Sequence, residues 1–145
     1  MKAFVMAAGA GTRLRPLTYS IPKPMVPVVN KPVLEHTIEN LKRYGITQIV
    51  LNLHYYGDMI RDYFGDGKRW GVDISYSPEK KLLGTAGGVK KQERFFDGTF
   101  FVMSGDGLTD VNLSKVLAFH RRTKSLGTMV LKEVDSKFDY GVTLC

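Results

Sequence analysis

The feature that most constrains this chain is the regular alternation of short apolar runs with amphipathic stretches. The runs are rich in β-branched or aromatic residues and predict strands, and the stretches between them predict helices. Strands separated by such helices form βαβ units, so the sequence predicts an α/β fold in three layers with a mainly parallel sheet. The expected strands are Lys2–Ala7, Ile46–Leu53, Val72–Tyr76, Phe100–Met103 (buried) and Gly127–Val134, and the expected helices are Pro32–Tyr44, Asp58–Phe64, Gly87–Phe95 and Leu113–Thr123.

Four segments follow the first four predicted strands, and three of them carry uncommon chemistry. These three are a glycine loop at residues 8–13, the segment Ser77–Thr85, and Ser104–Asp106; the fourth is Asn52–Tyr56. In parallel sheets, ligands bind beyond the carboxyl ends of the strands. We therefore expect the functional site among these segments.

Length and composition fit one soluble domain. The 145 residues are 43% hydrophobic and 24% charged, which is ordinary for a globular protein with its own core. No run approaches the roughly eighteen uncharged apolar residues of a membrane span, and the first apolar run is too short for a signal peptide. The lone cysteine, Cys145, excludes an internal disulfide and a multi-cysteine zinc site. Together these features predict a cytoplasmic protein.

The net charge of +7, from 21 basic and 14 acidic residues, favours anionic partners such as nucleotides, sugar phosphates or nucleic acid. The basic residues are spread along the chain, and the densest clusters, Lys80-Lys81, Lys90-Lys91 and Arg121-Arg122, are short. Such clusters are typical of solvated helix faces, whereas nucleic-acid binding calls for a packed basic stripe. We therefore expect small anionic ligands, with no nucleic acid and no membrane as partners.

The glycine loop begins at Gly9 and continues through Gly11, Thr12 and Arg13. Glycines allow a tight turn and bring backbone N–H groups close to a phosphate. The loop lacks the Lys-Ser/Thr pair of a Walker A motif, and Leu14 stands where a dinucleotide-binding fingerprint has its third glycine. The glycines alone would fit a structural turn equally well. Arg13 favours phosphate binding, because a guanidinium matches phosphate oxygens in geometry.

Lys23 stands between Pro22 and Pro24. We expect the two prolines to hold this lysine in an extended stretch that restricts the direction of its ammonium group. The alternative is a surface lysine in a loop that the prolines merely punctuate. The residues alone leave both interpretations open.

Two motifs taken together, GAGTRLRPLT at residues 9–18 and PKPM at residues 22–25, resemble the signature of the sugar nucleotidyltransferases. This group includes the mannose-1-phosphate guanylyltransferases and glucose-1-phosphate thymidylyltransferases. The resemblance continues along the chain through NKPVLEH, GDGKRWGV, LLGTAGG, SGDGLTD and DYGV. It implies a Rossmann-like nucleotidyltransferase fold, and an enzyme that transfers a nucleotidyl group from an NTP to a sugar 1-phosphate with release of pyrophosphate.

The resemblance also implies roles for individual residues. Arg13 would steady the departing pyrophosphate, and Lys23 would bind the phosphates at the reaction centre. The nucleotide's phosphates would be held by the loop residues Ala8, Gly9, Gly11 and Thr12.

Glu79 and the small residues around Gly84 are interpreted as the base pocket. Relatives that use uracil or thymine resemble this segment but have glutamine at the position of Glu79. A carboxylate only accepts hydrogen bonds, and guanine offers two adjacent donors, so Glu79 favours GTP and with it mannose 1-phosphate. Thymidylyl or uridylyl transfer to glucose 1-phosphate is the alternative. For Glu79 itself, the alternative is a helix cap or a side chain in solvent.

Asp106 follows an apolar strand within SGDGLTD. A carboxylate there suits Mg²⁺, which prefers oxygen ligands, although a single Asp is more often a cap or turn residue, the role expected for Asp110. The motif resembles the family's metal motif, with Ser104 where asparagine is common and Gly107 where an apolar residue is usual. This resemblance implies that Asp106 is catalytic and binds Mg²⁺.

Tyr140 and Gly141, in DYGV, resemble residues that contact the sugar. Relatives are longer, and beyond this motif they supply a second metal aspartate, further sugar contacts and often a dimer surface. We therefore expect residues 1–145 to be the nucleotide-binding portion of a truncated nucleotidyltransferase domain, with the sugar-binding remainder absent. Whether this chain alone is active, and whether it forms a homo-oligomer, stays open.

Two other functions were weighed. Transferases acting on choline phosphate or on the molybdenum cofactor share the glycine loop but not PLT, PKPM and LGTAGG together. A non-catalytic nucleotide-binding regulatory subunit would keep the same fold. Retention of Arg13, Lys23 and Asp106 favours the enzyme.

Overall fold

The computed structural model of the protein describes residues 1–132, in which strands and helices alternate. The strands are β1 (Lys2–Met6), β2 (Pro27–Val28), β3 (Lys31–Pro32), β4 (Gln48–Leu53), β5 (Asp73–Pro78) and β6 (Phe101–Ser104). The α-helices are α1 (Val33–Arg43), α2 (Gly57–Phe64), α3 (Gly84–Lys91) and α4 (Leu113–Thr123), and turns of 3-10 helix lie at Thr12–Leu14, Leu17–Tyr19, Lys23–Met25, Lys68–Trp70 and Glu93–Phe95.

The main sheet is parallel, with strand order β5-β4-β1-β6. From β1 the chain adds β4 and β5 on one side, and after α3 it crosses to the other side of β1 to form β6. The direction of strand addition thus reverses at β1, and the crevice between the carboxyl ends of β1 and β6 is the topological switch point where ligands bind in such sheets. The predicted α/β fold with a parallel sheet is confirmed.

The chain divides into two compact units, Met1–Asp110 and Val111–Cys145. The sheet, the β2–β3 hairpin and the first three helices belong to the first unit, and α4 belongs to the second. None of the helices within residues 1–132 is long and apolar enough to span a bilayer.

Helices cover both faces of the sheet in the first unit. A Cβ on Gly88 of α3 would lie 3.1 Å from Phe4, whereas one on Gly105 would lie 3.2 Å from both Val5 and Leu34 of α1. Successive residues of a strand point to opposite faces, so Phe4 faces α3 and Val5 faces α1. This arrangement gives the three layers that the sequence predicted.

The apolar spacing of α1 accounts for its position. Leu34, Ile38 and Leu41 are fully buried on one helical face. Burying each of these side chains contributes roughly 1.5–3 kcal/mol, so the helix is stabilised mainly by packing on the sheet rather than by its own propensity.

Two strand predictions were wrong in part. Phe100–Met103 was expected to be buried, but β6 alternates between half-buried and exposed residues, and Val102 is 43% exposed. Among the described strands β6 pairs only with β1, so it is an edge strand. Gly127–Val134 was expected to be a strand, yet residues 127–132 contain none, and Met129 is exposed. An apolar sequence does not by itself supply the neighbouring strand that the backbone needs.

The cap of α4 also differs from the prediction. Asn112 is the N-cap, and its side chain accepts a hydrogen bond of 3.0 Å from Lys115 N–H. Because the helix begins at Leu113, Asp110 lies two positions too early to fill this role.

Candidate active site

A cleft of about 370 Å³ opens at the carboxyl ends of the four parallel strands. The structure brings nine of the predicted site residues to its walls, whereas Tyr140 and Gly141 lie outside the described residues. These nine are Ala8, Gly9, Gly11, Thr12, Arg13, Lys23, Glu79, Gly84 and Asp106, and the remaining wall residues are Met6, Ala7, Pro24, Asn52, Leu82, Thr85 and Ser104.

The glycine loop is held in place by hydrogen bonds to its own carbonyls. Gly11 has a φ of +61°, and its carbonyl accepts bonds from Leu14 N–H (3.0 Å) and from the buried hydroxyl of Thr18 (2.8 Å). A Cβ on Gly11 would lie only 2.9 Å from the Cβ of Lys23. Glycine is therefore required at this position both for its conformation and for the close approach of Lys23.

Two tyrosines that follow β4 fix the next turn of this loop. Tyr55 donates a hydrogen bond to the carbonyl of Thr18 (3.0 Å), and Tyr56 donates one to the carbonyl of Tyr19 (2.8 Å). Thr18 in turn bonds the Gly11 carbonyl. We refer to Tyr55, Tyr56, Thr18 and Tyr19 as the tyrosine clamp.

Lys23 begins a turn of 3-10 helix, which corrects the predicted extended stretch. The carbonyl of Pro22 accepts a hydrogen bond from Met25 N–H (2.8 Å). Proline lacks an N–H and its φ suits a first helical turn, so Pro24 fits here. The turn aims the Lys23 ammonium across the cleft, where it forms an ion pair of 2.5 Å with Asp106.

Both carboxylate oxygens of Asp106 make polar contacts. Lys23 pairs with Oδ2, and the Ser104 hydroxyl donates to Oδ1. Burial alone would raise the pKa of Asp106, but the hydrogen bonds from Lys23 and Ser104, with the charge of Lys23, outweigh it. The pKa therefore lies below its ordinary value of 3.8, and Asp106 is a carboxylate at neutral pH.

The site can offer Mg²⁺ the carboxylate of Asp106 and the hydroxyl of Ser104. Residues 1–132 contain no group of three or more His, Cys, Asp or Glu side chains placed to hold a metal. Mg²⁺ commonly binds through one or two carboxylates and takes its other ligands from phosphates and water. The residues present therefore fit Mg²⁺ bound together with a phosphorylated ligand, and do not form an all-protein metal cage.

Glu79 is buried at the base of the cleft rather than in solvent. Its Oε1 accepts a hydrogen bond from Asn52 Nδ2 and its Oε2 accepts one from Leu83 N–H, both of 2.9 Å. The carboxylate thus ties the end of β5 to β4 and to the start of α3.

Three residues that line or support the cleft were missed at the level of sequence, namely Asn52, Tyr55 and Tyr56. All belong to the fourth segment after a strand, which carried no recognisable motif. One signal was present: Asn52 is a polar residue inside the apolar run IVLNL. A buried polar side chain requires a hydrogen-bond partner, so its presence there indicated a role.

A family model described as "Nucleotidyl transferase" matches residues 2–144, nearly the whole chain. The chain belongs to the nucleotidyl transferase family. Among curated relatives of the chain, the UTP–glucose-1-phosphate uridylyltransferase of Synechocystis sp. is 42% identical over 158 residues. The mannose-1-phosphate guanyltransferase of Gibberella zeae is 38% identical over 148 residues. Each alignment covers 99% of this chain, which spans only 41% of either relative's length.

Solved structures of similar proteins have the same fold as this chain. HddC from Yersinia pseudotuberculosis, complexed with GMP-PN, superposes with a TM-score of 0.74 at 30% identity, covering 82% of this chain and 53% of that one. A putative glucose-1-phosphate thymidylyltransferase from Bacillus anthracis superposes with a TM-score of 0.76 at 28% identity, covering 86% of this chain and 51% of that one. The three relatives that are named as transferases differ in both the base and the sugar of their names.

Proposed function

We propose that the protein transfers a nucleotidyl group from an NTP to a sugar 1-phosphate and releases pyrophosphate. The observation that carries this proposal is the meeting of the glycine loop, Arg13, Lys23 and Asp106 in one cleft beside the switch point of a nucleotidyl transferase sheet. Because the chain spans 41% of its curated relatives, residues 1–145 are proposed as the nucleotide-binding portion of the enzyme. Tyr140 and Gly141 are proposed as its first sugar contacts.

In the proposed reaction an oxygen of the sugar 1-phosphate attacks the α-phosphorus of the NTP in line. A new P–O bond forms as the bond to pyrophosphate breaks. Backbone N–H groups near Gly9 and Gly11 orient the phosphates, the exposed Arg13 offsets charge on the leaving pyrophosphate, and Lys23 neutralises the α-phosphate. Positioning and charge stabilisation of this kind account for most phosphoryl-transfer catalysis.

Asp106 and Ser104 would hold Mg²⁺ in this reaction. When bound, the metal would neutralise negative charge on the phosphates. Lys23 would exchange its ion pair with Asp106 for the α-phosphate. The pair therefore keeps both side chains at the reaction centre before nucleotide enters.

We propose GTP as the favoured nucleotide and mannose 1-phosphate as the favoured acceptor. Each carboxylate oxygen of Glu79 accepts one hydrogen bond within the protein and has a second lone pair. Two acceptors side by side suit the two adjacent donors of guanine. Uridylyl transfer to glucose 1-phosphate is the second candidate, because the uridylyltransferase of Synechocystis sp. is 42% identical.

Pyrophosphate release separates these candidates. Because residues 1–145 are proposed as the nucleotide-binding portion only, the longest available form of the protein is incubated with Mg²⁺, each of four NTPs, and either mannose 1-phosphate or glucose 1-phosphate. We expect release with GTP and mannose 1-phosphate, and loss of release in the Arg13→Ala variant. Thermal stabilisation by each NTP is measured in parallel, because a ligand that binds the folded state raises apparent stability. Stabilisation without turnover under every condition would favour the non-catalytic regulatory alternative.

Magnesium dependence tests the role of Asp106 separately. The Asp106→Asn variant should bind nucleotide with a weakened dependence on Mg²⁺. A variant whose nucleotide binding keeps the original Mg²⁺ dependence would contradict the assignment of Asp106 as the metal ligand.

A further inference from the structure

Asn52 connects the glycine loop to the proposed base pocket through a chain of buried hydrogen bonds. It lies in β4 between buried leucines and is itself 5% exposed. Its Oδ1 accepts a hydrogen bond of 2.7 Å from Ala7 N–H, and its Nδ2 donates one of 2.9 Å to Glu79 Oε1. Ala7, Asn52 and Glu79 all line the cleft.

The direction of this chain is fixed by its two ends. The N–H of Ala7 can only donate, so the amide oxygen of Asn52 must face it and the amide nitrogen must face Glu79. At the other end, Leu83 N–H donates to Glu79 Oε2. Both oxygens of Glu79 therefore face donors that cannot change into acceptors.

Gly88 of α3 packs closely against both polar side chains. A Cβ on Gly88 would lie 3.0 Å from Glu79 Oε1 and 3.3 Å from Asn52 Nδ2. Glycine at this position admits the two polar side chains beside Phe4 and holds them against the helix.

We propose that Asn52 is a positioning residue that determines base selectivity by requiring a carboxylate at position 79. With both inner lone pairs of Glu79 engaged, the carboxylate presents only acceptors to the cleft, and it selects a base edge with two adjacent donors, as in guanine. This inference rests on the proposed function, because it assumes that the cleft binds an NTP base next to Glu79.

The chemistry of the pair predicts what each substitution does. Glu79→Gln alone sets an amide nitrogen against Asn52 Nδ2 or Leu83 N–H, so two donors meet. Asn52→Asp alone sets two carboxylates against each other. The double variant restores complementarity, because an aspartate at position 52 accepts from both Ala7 N–H and the new glutamine amide.

The double variant also changes the edge that faces the cleft. Its glutamine presents one free N–H and one free oxygen lone pair, which is a donor beside an acceptor. That pattern complements the N–H and carbonyl of uracil, and it complements the N1–H and O6 of guanine in the same way. Changing positions 52 and 79 together should therefore remove the preference for guanine over uracil.

The test measures thermal unfolding without ligand and the affinities for GTP and UTP by calorimetry, in the protein, both single variants and the double variant. We expect each single variant to unfold at a lower temperature and the double variant to regain most of the loss. We also expect the ratio of GTP to UTP affinity to fall about tenfold or more in the double variant. Asn52→Ala removes the amide without adding a repelling group, so it should lower the ratio of GTP to UTP affinity less. This variant replaces either single variant if that one does not fold.

Ser77→Ala is the matched control. It removes another side-chain hydrogen bond, from Gln92 Nε2 to Ser77 Oγ (2.9 Å), in β5 directly opposite Asn52 but at a residue that does not line the cleft. It should lower stability without changing the GTP to UTP ratio.

The outcomes distinguish this inference from the proposed function. Additive destabilisation in the double variant would overturn the hydrogen-bond network. Restored stability with an unchanged GTP to UTP ratio would overturn the role of Asn52 in selectivity. If the unvaried protein binds no nucleotide, the proposed function fails, and the inference fails with it whatever the unfolding temperatures show.

Discussion

Gly9 and Gly11 are two residues apart in the same loop, yet the structure constrains them differently. Gly11 has a φ of +61° and no room for a Cβ beside Lys23 and Thr18, whereas a Cβ on Gly9 would meet nothing within 4 Å. Gly9 lines the cleft, where we propose that the phosphates of the nucleotide bind. Gly11 is thus required by the protein's own packing, whereas Gly9 would be required only by the proposed phosphate ligand.

The two alanine variants should separate these requirements. Gly11→Ala should lower the free energy of unfolding by roughly 1–3 kcal/mol, because it forces a left-handed conformation and a steric contact. Gly9→Ala should leave stability nearly unchanged but weaken nucleotide binding. Chemical denaturation and calorimetry measure the two quantities. Equal loss of stability in both variants would contradict this account of the loop.

The Lys23–Asp106 ion pair should make stability depend on pH in a defined direction. The pKa of Asp106 is lowered in the folded state, so its contribution is present above the ordinary value of 3.8 and is lost as the pH falls through the lower folded-state pKa. Both side chains are about one-third exposed, at 36% and 27%, so we expect a contribution below about 1 kcal/mol.

Unfolding temperatures of the protein and of Asp106→Asn, measured without metal, test this direction. Their difference should be constant near neutral pH and should shrink in the acid range. When both proteins also carry Lys23→Ala, the part of this temperature difference that depends on pH should be smaller. A difference that grows as the pH falls would contradict the assignment.

Single residues were predictable from sequence where their chemistry was unusual for their position. Arg13 and Asp106 could be singled out as charged residues shortly after predicted strands, and the motifs that resemble the family added Lys23. The partners of Asn52 could not be predicted, because they are 45 and 27 residues away and no local spacing encodes them. The sequence suggests guanine as the partner of Glu79, but it does not show that both carboxylate oxygens already accept hydrogen bonds within the protein.

At the scale of elements, the tyrosine clamp ties the segment after β4 to the 3-10 turn that supports the glycine loop. Its hydrogen bonds run from side-chain hydroxyls to the backbone carbonyls of Thr18 and Tyr19. Because the Thr18 hydroxyl then bonds the Gly11 carbonyl, the clamp holds the loop without itself lining the cleft. An ordered loop loses less conformational freedom when it binds a ligand.

Tyr55→Phe should therefore weaken nucleotide affinity roughly two- to tenfold, the equivalent of one hydrogen bond. Tyr76→Phe is a matched control, since Tyr76 also donates to a backbone carbonyl, that of Gly65 (2.7 Å), at a place away from the cleft walls. Calorimetry with the favoured NTP measures both variants. If both weaken binding equally, the clamp has no specific role in the loop.

Helices and strands could be predicted where the spacing of apolar residues alone defined them. The apolar spacing of α1 and the runs of β1 and β4 gave their elements within one or two residues, because burial against the sheet follows directly from periodicity. The extended stretch predicted at Lys23 was wrong. A residue before proline prefers an extended backbone, but the hydrogen bonds of the loop impose a 3-10 turn there. The predictions that β6 is buried and that residues 127–134 form a strand were wrong, the second over residues 127–132. An apolar run alone does not show whether a neighbouring strand is present to pair with it.

For the molecule as a whole, sheet order decides where chemistry can occur. The strand order β5-β4-β1-β6 places the segments after β1 and β6 on adjacent strands, although Gly11 and Asp106 are far apart in the chain. The sequence predicted parallel strands but not their order, since order depends on which side of β1 each crossover returns to. The family match over residues 2–144 agrees with the observed sheet.

A crystal structure of the protein with Mg²⁺ and a non-hydrolysable GTP analogue tests the central claim most directly. The account predicts the triphosphate within hydrogen-bond distance of the Gly11 backbone, Arg13 and Lys23, the metal on Asp106, and the Lys23–Asp106 ion pair broken. A triphosphate bound elsewhere, with that ion pair intact, would contradict it.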